Sequence, residues 1–295
     1  MSTYTCNWCG TVSDGSGRSC PACGAAVDVR AMVTESGWTE MPARPDMARL
    51  QFGQSYVQIE GNTTPVADVS LAAGDGVYFT HHVVLWMDAT VKVHAMSLKG
   101  AWKRLFAGMP LVMTEAIGPG HIAFSQDSTG EIVALPLQPG QMVDVREHMF
   151  LLATHSVAYD WFNTNIWYST RNGDDTETHY PVGMFMDRFQ ATDRPGLLLL
   201  HAAGNVYVRD LGPNDSLLVK PTALIFKDPS VHMQLHFEYP AGVSTSFWFG
   251  MSWSNRYLWL RLFGPGRVAV NSACKPHEDP PTPVYQHSGA SSSQW

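Results

Sequence analysis

Long apolar runs are missing from this 295-residue chain: nowhere do 18 apolar residues follow one another, the length a helix needs to cross a bilayer. No charged start leads into an apolar stretch, so the expectation is a protein neither secreted nor membrane-spanning. Charge is scarce too, at 15% of residues, and 19 Lys and Arg face 26 Asp and Glu for a net charge of -7. Without a basic excess or long blocks of one sign, there is no general electrostatic drive toward nucleic acid or an anionic membrane. Cysteine is rarer still: of five, four stand in an opening motif and Cys274 is alone near the far end. That distribution excludes a disulfide framework through the core and suits a reducing compartment, so the expected location is cytoplasmic. A G-x-x-x-x-G-K phosphate loop and a nucleophile elbow are both absent.

What is present begins with those cysteines. Cys6-Asn7-Trp8-Cys9 and Cys20-Pro21-Ala22-Cys23-Gly24 are two thiolate pairs with the spacing of a closed tetrahedral Zn2+ site. Pro21 and Gly24 shape the second knuckle so that backbone amides point toward the sulfurs. Iron is the alternative metal for four thiolates. A site closed by four protein ligands leaves no position for substrate, so the zinc is structural, and the module attaches or recognises rather than catalyses. Trp8 offers either a partner-facing aromatic or the cover of a minimal core.

The expected division is a zinc ribbon at 1–26, a linker at 27–50 marked by Pro42 and Pro45, a β-domain at 51–274, and a flexible tail at 275–295 rich in proline and serine. The large domain reads as all-β. Short β-branched and aromatic runs such as Val77-Tyr78-Phe79-Thr80 and Val83-Val84-Leu85-Trp86 alternate with Gly and Pro turns, and no helical period persists beyond three turns. Ser70–Val77, Pro136–Val143 and Asp210–Leu217 align as a Leu, a Gly/Pro/Asn turn and an apolar strand, roughly seventy residues apart. A second series sets Lys103-Arg104-Leu105-Phe106 leading to Leu111-Val112-Met113, Asp187-Arg188-Phe189 leading to Leu197–Leu200, and Leu260-Arg261-Leu262-Phe263 leading to Val268-Ala269-Val270. Both series predict threefold internal quasi-symmetry.

These repeats, with Gly76-Val77-Tyr78-Phe79-Thr80-His81 and the run from Trp102-Lys103-Arg104-Leu105-Phe106 to Ala116-Ile117-Gly118-Pro119-Gly120, resemble the AIM24 family, whose fold is like that of the tryptophan RNA-binding attenuation protein. The resemblance covers most of Phe52 to Ser272. It implies a β-sandwich or prism related to double-stranded β-helices, sometimes trimeric, and its mitochondrial relatives are linked to inner-membrane organisation. The family's motifs are glycine and apolar patterns without catalytic residues to carry over, and RNA binding does not transfer with the fold. An amino-terminal zinc ribbon is a departure from its minimal members.

Other candidates have plainer readings. His81-His82, in strand geometry, point to opposite faces. His232, His236 and Glu238 share a strand face, but two histidines four residues apart lie roughly 13 Å from each other, too far to ligate one metal. Arg171–His179 is a polar hairpin end with an Asn-Gly turn rather than a calcium loop. Much of the aromatic set Trp161-Phe162, Trp167-Tyr168, Phe247-Trp248-Phe249, Trp253, Tyr257 and Trp259 fills the sandwich, but Phe247-Trp248-Phe249 cannot all face one core, and the outward member needs a neighbouring sheet, a subunit or a ligand, which favours a homo-oligomer. The functional expectation is a non-catalytic binding or scaffolding protein: the ribbon recruits an unidentified protein partner, and the β-domain forms an oligomeric platform. The alternatives are a cupin-like metal-dependent enzyme, nucleic-acid binding through the ribbon, and membrane-surface association through exposed aromatics.

Overall fold

The computed structural model describes residues 4–5, 11–13, 22, 34–41, 43–96, 113–126, 129–172, 174–238, 257–273 and 283–288. Among them are β-strands and two short 3-10 turns, and no α-helix. Eighteen of the strands fall into three units of six. The first comprises β1 (Val66–Leu71), β2 (Gly76–Thr80), β3 (Val84–Met87), β4 (Lys92–Ala95), β5 (Met113–Ile117) and β6 (Gly120–Phe124). The second comprises β7 (Gly130–Leu137), β8 (Met142–Arg146), β9 (Phe150–Thr154), β10 (Val157–Asn163), β11 (Phe185–Ala191) and β12 (Gly196–Ala203). The third comprises β13 (Val206–Leu211), β14 (Ser216–Val219), β15 (Leu224–Lys227), β16 (His232–Glu238), β17 (Tyr257–Phe263) and β18 (Gly266–Asn271).

Each unit repeats one antiparallel pairing scheme: first strand with sixth, third with sixth, second with fifth, fourth with fifth. The repetition extends to irregularities. The third strand of every unit slips by one residue against the sixth, between Phe124 and Ala123, between Phe150 and Leu152, and between Leu224 and Phe226. Asp75 O, Gln141 O and Asp215 O accept from the amides of Gly118, Ala191 and Gly264 at 3.0, 3.0 and 3.1 Å. The first sequence series therefore marks the junction from first to second strand in all three units.

The second series is only partly in phase. Asp187-Arg188-Phe189 and Leu260-Arg261-Leu262 do occupy equivalent fifth strands, but the first unit's counterpart is Met113–Ile117, with Glu115 at the arginine position. Lys103–Phe106 lies outside the described residues. A lone Leu-Phe pattern cannot fix phase when several strands per unit share it.

Units are not separate domains, because they share sheets. β9 pairs with β2, and β15 pairs with β8, so the first, sixth and third strands of one unit extend the second, fifth and fourth of the preceding one. Sheet order is accordingly β7-β12-β9-β2-β5-β4 and β10-β11-β8-β15-β18-β13 with Thr39–Glu40 at its end. At the flanks stand two partial sheets, Ala48–Phe52, Ser55–Glu60, β1, β6, β3 on one side and β14-β17-β16 on the other. Successive sheets enclose three apolar cores. The middle strands are covered on both faces, which explains why Phe150–Thr154 is buried throughout and Gly196–Ala203 nearly so instead of alternating. Each leucine of Leu197–Leu200 buried there contributes about 1.5–3 kcal/mol. The outer Ser55–Glu60 and Val66–Leu71 do alternate.

Two glycines are required by geometry. Gly120 and Gly266, after the cis Gly118-Pro119 and Gly264-Pro265 bonds, have φ of 138° and 135°. A Cβ there would meet Thr90 Oγ1 at 2.7 Å and Ser230 Oγ at 2.7 Å.

The ends depart from expectation. Within the stretch read as a linker, Thr39–Glu40 pairs with β13 and Ala48–Phe52 with Ser55–Glu60. Within the tail read as flexible, Pro283–Ser288 forms a strand against Ile166–Asn172. All three are short segments at the edge of a sheet, a role that composition does not reveal.

Candidate functional site

Residues 34–41 fold down on the β-domain and build one wall of a groove of about 390 Å3. Gly37, at φ 82°, makes the reversal, and Trp38 N donates to Thr34 Oγ1 at 3.0 Å. Arg209 Nη1 holds the turn from the domain side through Ser36 O at 2.9 Å. Trp38 then packs against the third core. The other walls are Tyr207 and Val270 from β13 and β18, Leu218 and Val219 from β14, Lys220, Ala223 and Trp259. Trp259 is fixed by Nε1 donating to Glu238 Oε2 at 2.8 Å. Aromatic and aliphatic walls, with the Thr34 and Ser36 side chains and Lys220 among the lining, suit an apolar or planar group.

Below the groove's anchor, Asn205 Nδ2 donates to Glu40 Oε1 at 3.0 Å and Glu131 Oε1 at 3.2 Å. Partial burial first, and the Glu40 charge second, raise the Glu131 carboxyl above its ordinary range.

A charged cluster occupies the joint between the second and third units. Asp144, fully buried on β8, accepts Arg188 Nε at 2.6 Å, Arg188 Nη2 at 2.9 Å and Lys227 Nζ at 2.8 Å. Phe162 lies under the Arg188 guanidinium at 4.6 Å. Burial lowers the Lys227 ammonium and Asp144 opposes it. Three strands thus meet at one ionic knot, a structural role.

The ligand candidates Cys6, Cys9, Cys20 and Cys23 lie outside the described residues, as do Cys274, Phe247–Phe249 and Trp253. Tyr4–Thr5 pairs antiparallel with Val12–Ser13. His81-His82 is not in a strand: His81–Val83 is a 3-10 turn, which breaks the alternation on which opposite faces were argued. His232, His236 and Glu238 lie on β16 opposite Phe263, Trp259 and Tyr257. Among the described residues no three His, Cys, Asp or Glu are grouped to hold a metal. Ile166–Asn172 and Asp175–His179 form the polar hairpin, with Asn172 opposite Asp175 as its last pair. Trp161 packs edge-on to Phe185, and Tyr168 stacks on His179. Sequence reasoning missed both the Trp38 groove and the Asp144 knot. The signal for the second was visible: an aspartate between valines in Met142–Arg146.

The model of the family described as Mitochondrial biogenesis AIM24 matches residues 57–273. A Streptococcus pyogenes protein of known crystal structure superposes with a TM-score of 0.50 and 16% identity, over 75% of this chain and 94% of that one, a likeness of fold. No curated protein sequence matches significantly. No helix among the described residues is long and apolar enough to cross a membrane. With the match extending from the strand at Ser55–Glu60 through the last strand of the third unit, the chain belongs to the AIM24 family.

Proposed function

We propose that the chain is a non-catalytic scaffolding protein of the cytoplasm, in which a zinc ribbon at Cys6, Cys9, Cys20 and Cys23 recruits a protein partner and the β-domain is an oligomeric platform. The observation that carries the reading is the docked segment 34–41, which brings the chain leaving the cysteine module onto the aromatic groove at Trp38, Tyr207 and Trp259. A recruiter anchored beside an apolar groove presents two surfaces to one partner, which raises effective concentration without new contacts. The family's description by mitochondrial biogenesis, a matter of assembly, agrees with a platform.

The test uses the full chain. Zinc content of purified wild type should be one equivalent, lost in Cys6→Ser with Cys20→Ser. The partner retained by wild type from native lysate should be lost by that variant and weakened at least tenfold by Trp38→Ala. A partner held equally by all three, or a second metal surviving the Cys changes, would overturn the reading in favour of chemistry in the β-domain.

A further inference from the structure

The tail strand Pro283–Ser288 stands outside the repeat, and among the described residues it pairs with one strand alone. Its register on Ile166–Asn172 is antiparallel: Ser288 opposite Ile166, His287 opposite Trp167, Gln286 opposite Tyr168 and Tyr285 opposite Ser169, then a slip that sets Pro283 opposite Thr170. The other side of the same strand is taken by Asp175–His179. Between Asn271, where the last strand of the third unit ends, and the tail strand lie Pro276, Pro280 and Pro281.

What the tail covers is an unguarded edge. Ile166-Trp167-Tyr168-Ser169-Thr170 contains no charge and no proline, the residues that ordinarily keep a strand edge from pairing with another chain. The strand behind that edge is firmly seated. Ile166 and Tyr168 are buried in the third core, where Tyr168 stacks on His179 at 4.8 Å and meets Phe237 edge-on at 5.7 Å. Ser169 Oγ and Thr170 Oγ1 are engaged by Thr178 Oγ1 and His179 Nε2 at 3.1 and 2.8 Å. The hairpin and the core thus hold Ile166–Asn172 in place without help from the tail. The tail itself is a poor match: opposite the two core residues its register sets polar Ser288 and Gln286, and such pairs gain less than apolar ones. A strand with one neighbour, a proline-containing tether and polar residues set against an apolar pair opens without unfolding the cores.

We propose that the Ile166–Thr170 edge is a peptide-binding site that takes an extended segment of a partner protein by strand addition, and that Pro283–Ser288 is the chain's own occluding strand. The partner's segment adds antiparallel in the tail's register. Main-chain hydrogen bonds supply its affinity, and apolar side chains at the positions of Gln286 and Ser288 supply its selectivity. The tethered tail competes at an effective concentration of roughly millimolar, so the site yields to a segment that pairs better than the tail does. This goes beyond the scaffold reading and depends on neither the zinc nor the oligomer.

The test uses the full chain and a fluorescent peptide with the sequence of residues 281–290. Tyr285→Pro with Gln286→Pro takes the tail off the edge, because proline cannot donate to the ladder, and thermal unfolding checks that the variant is folded. By fluorescence anisotropy the variant should bind the peptide at least about tenfold more tightly than wild type does. Gln286→Leu with Ser288→Val in the peptide should tighten binding about tenfold further, and the two prolines placed in the peptide should abolish it. Hydrogen exchange reads the wild type directly: amides of Pro283–Ser288 should exchange at least about a hundredfold faster than those of Gly196–Ala203. Equal protection of the two strands overturns the release of the tail. Equal peptide binding by wild type and variant, or binding indifferent to the prolines, overturns the site. An oligomeric wild type that the tail variant reduces to single chains overturns it in favour of tail exchange between copies.

Discussion

Asn205 holds two carboxylates with one amide nitrogen, and the cost falls on Glu131. Its carboxyl is raised from the ordinary 4.5, first by burial and then by Glu40. A raised acid favours the protonated form in the folded state, so its contribution to stability is fully present below 4.5 and is lost as pH rises through the higher folded value. Glu131→Gln removes that titration while preserving an acceptor for Asn205. The variant should be at least as stable as wild type at pH 7, and its urea midpoint should fall less between pH 4.5 and pH 7 or about that range. Equal slopes for the two proteins would place the pH dependence elsewhere.

At the level of elements, the same joint is built once from Tyr78 and Ala153 and once from Asp144 and Lys227. The ionic version is stable only as a set, because removing one partner strands a buried charge. Asp144→Ala should cost about 3–5 kcal/mol in denaturant unfolding, whereas Asp144→Leu with Lys227→Met should recover most of that loss. A double variant as unstable as the single one would show that Arg188, rather than Lys227, carries the dependence on Asp144. The repeat that underlies this comparison was legible in sequence through the turns at Gly74, Gly140 and Asn214, since tight reversals demand particular residues. What was not legible was which strands the units share. Pairing between units depends on tertiary register, and Leu-rich runs such as Leu197–Leu200 look alike whether they pair within a unit or across one. The 3-10 turn at His81–Val83 was missed for a related reason: β-branched neighbours suggest a continuous strand, yet the corner at which the chain moves from one sheet to another falls there. The groove was beyond sequence altogether, because Trp38, Tyr207 and Trp259 come together only after residues 34–41 dock on the third unit.

For the whole molecule, sharing strands between units spreads stability over three cores instead of three small domains, none of which closes its own sheets. It also leaves a partial sheet at each flank, with β3 at the edge of one and β14 at the edge of the other. Native mass spectrometry of the full-length protein reads assembly and metal together. The account predicts a defined multiple of the 32.5 kDa chain carrying one zinc per copy, the zinc lost in Cys6→Ser with Cys20→Ser. A zinc-free single chain as the main species of the wild type would contradict it.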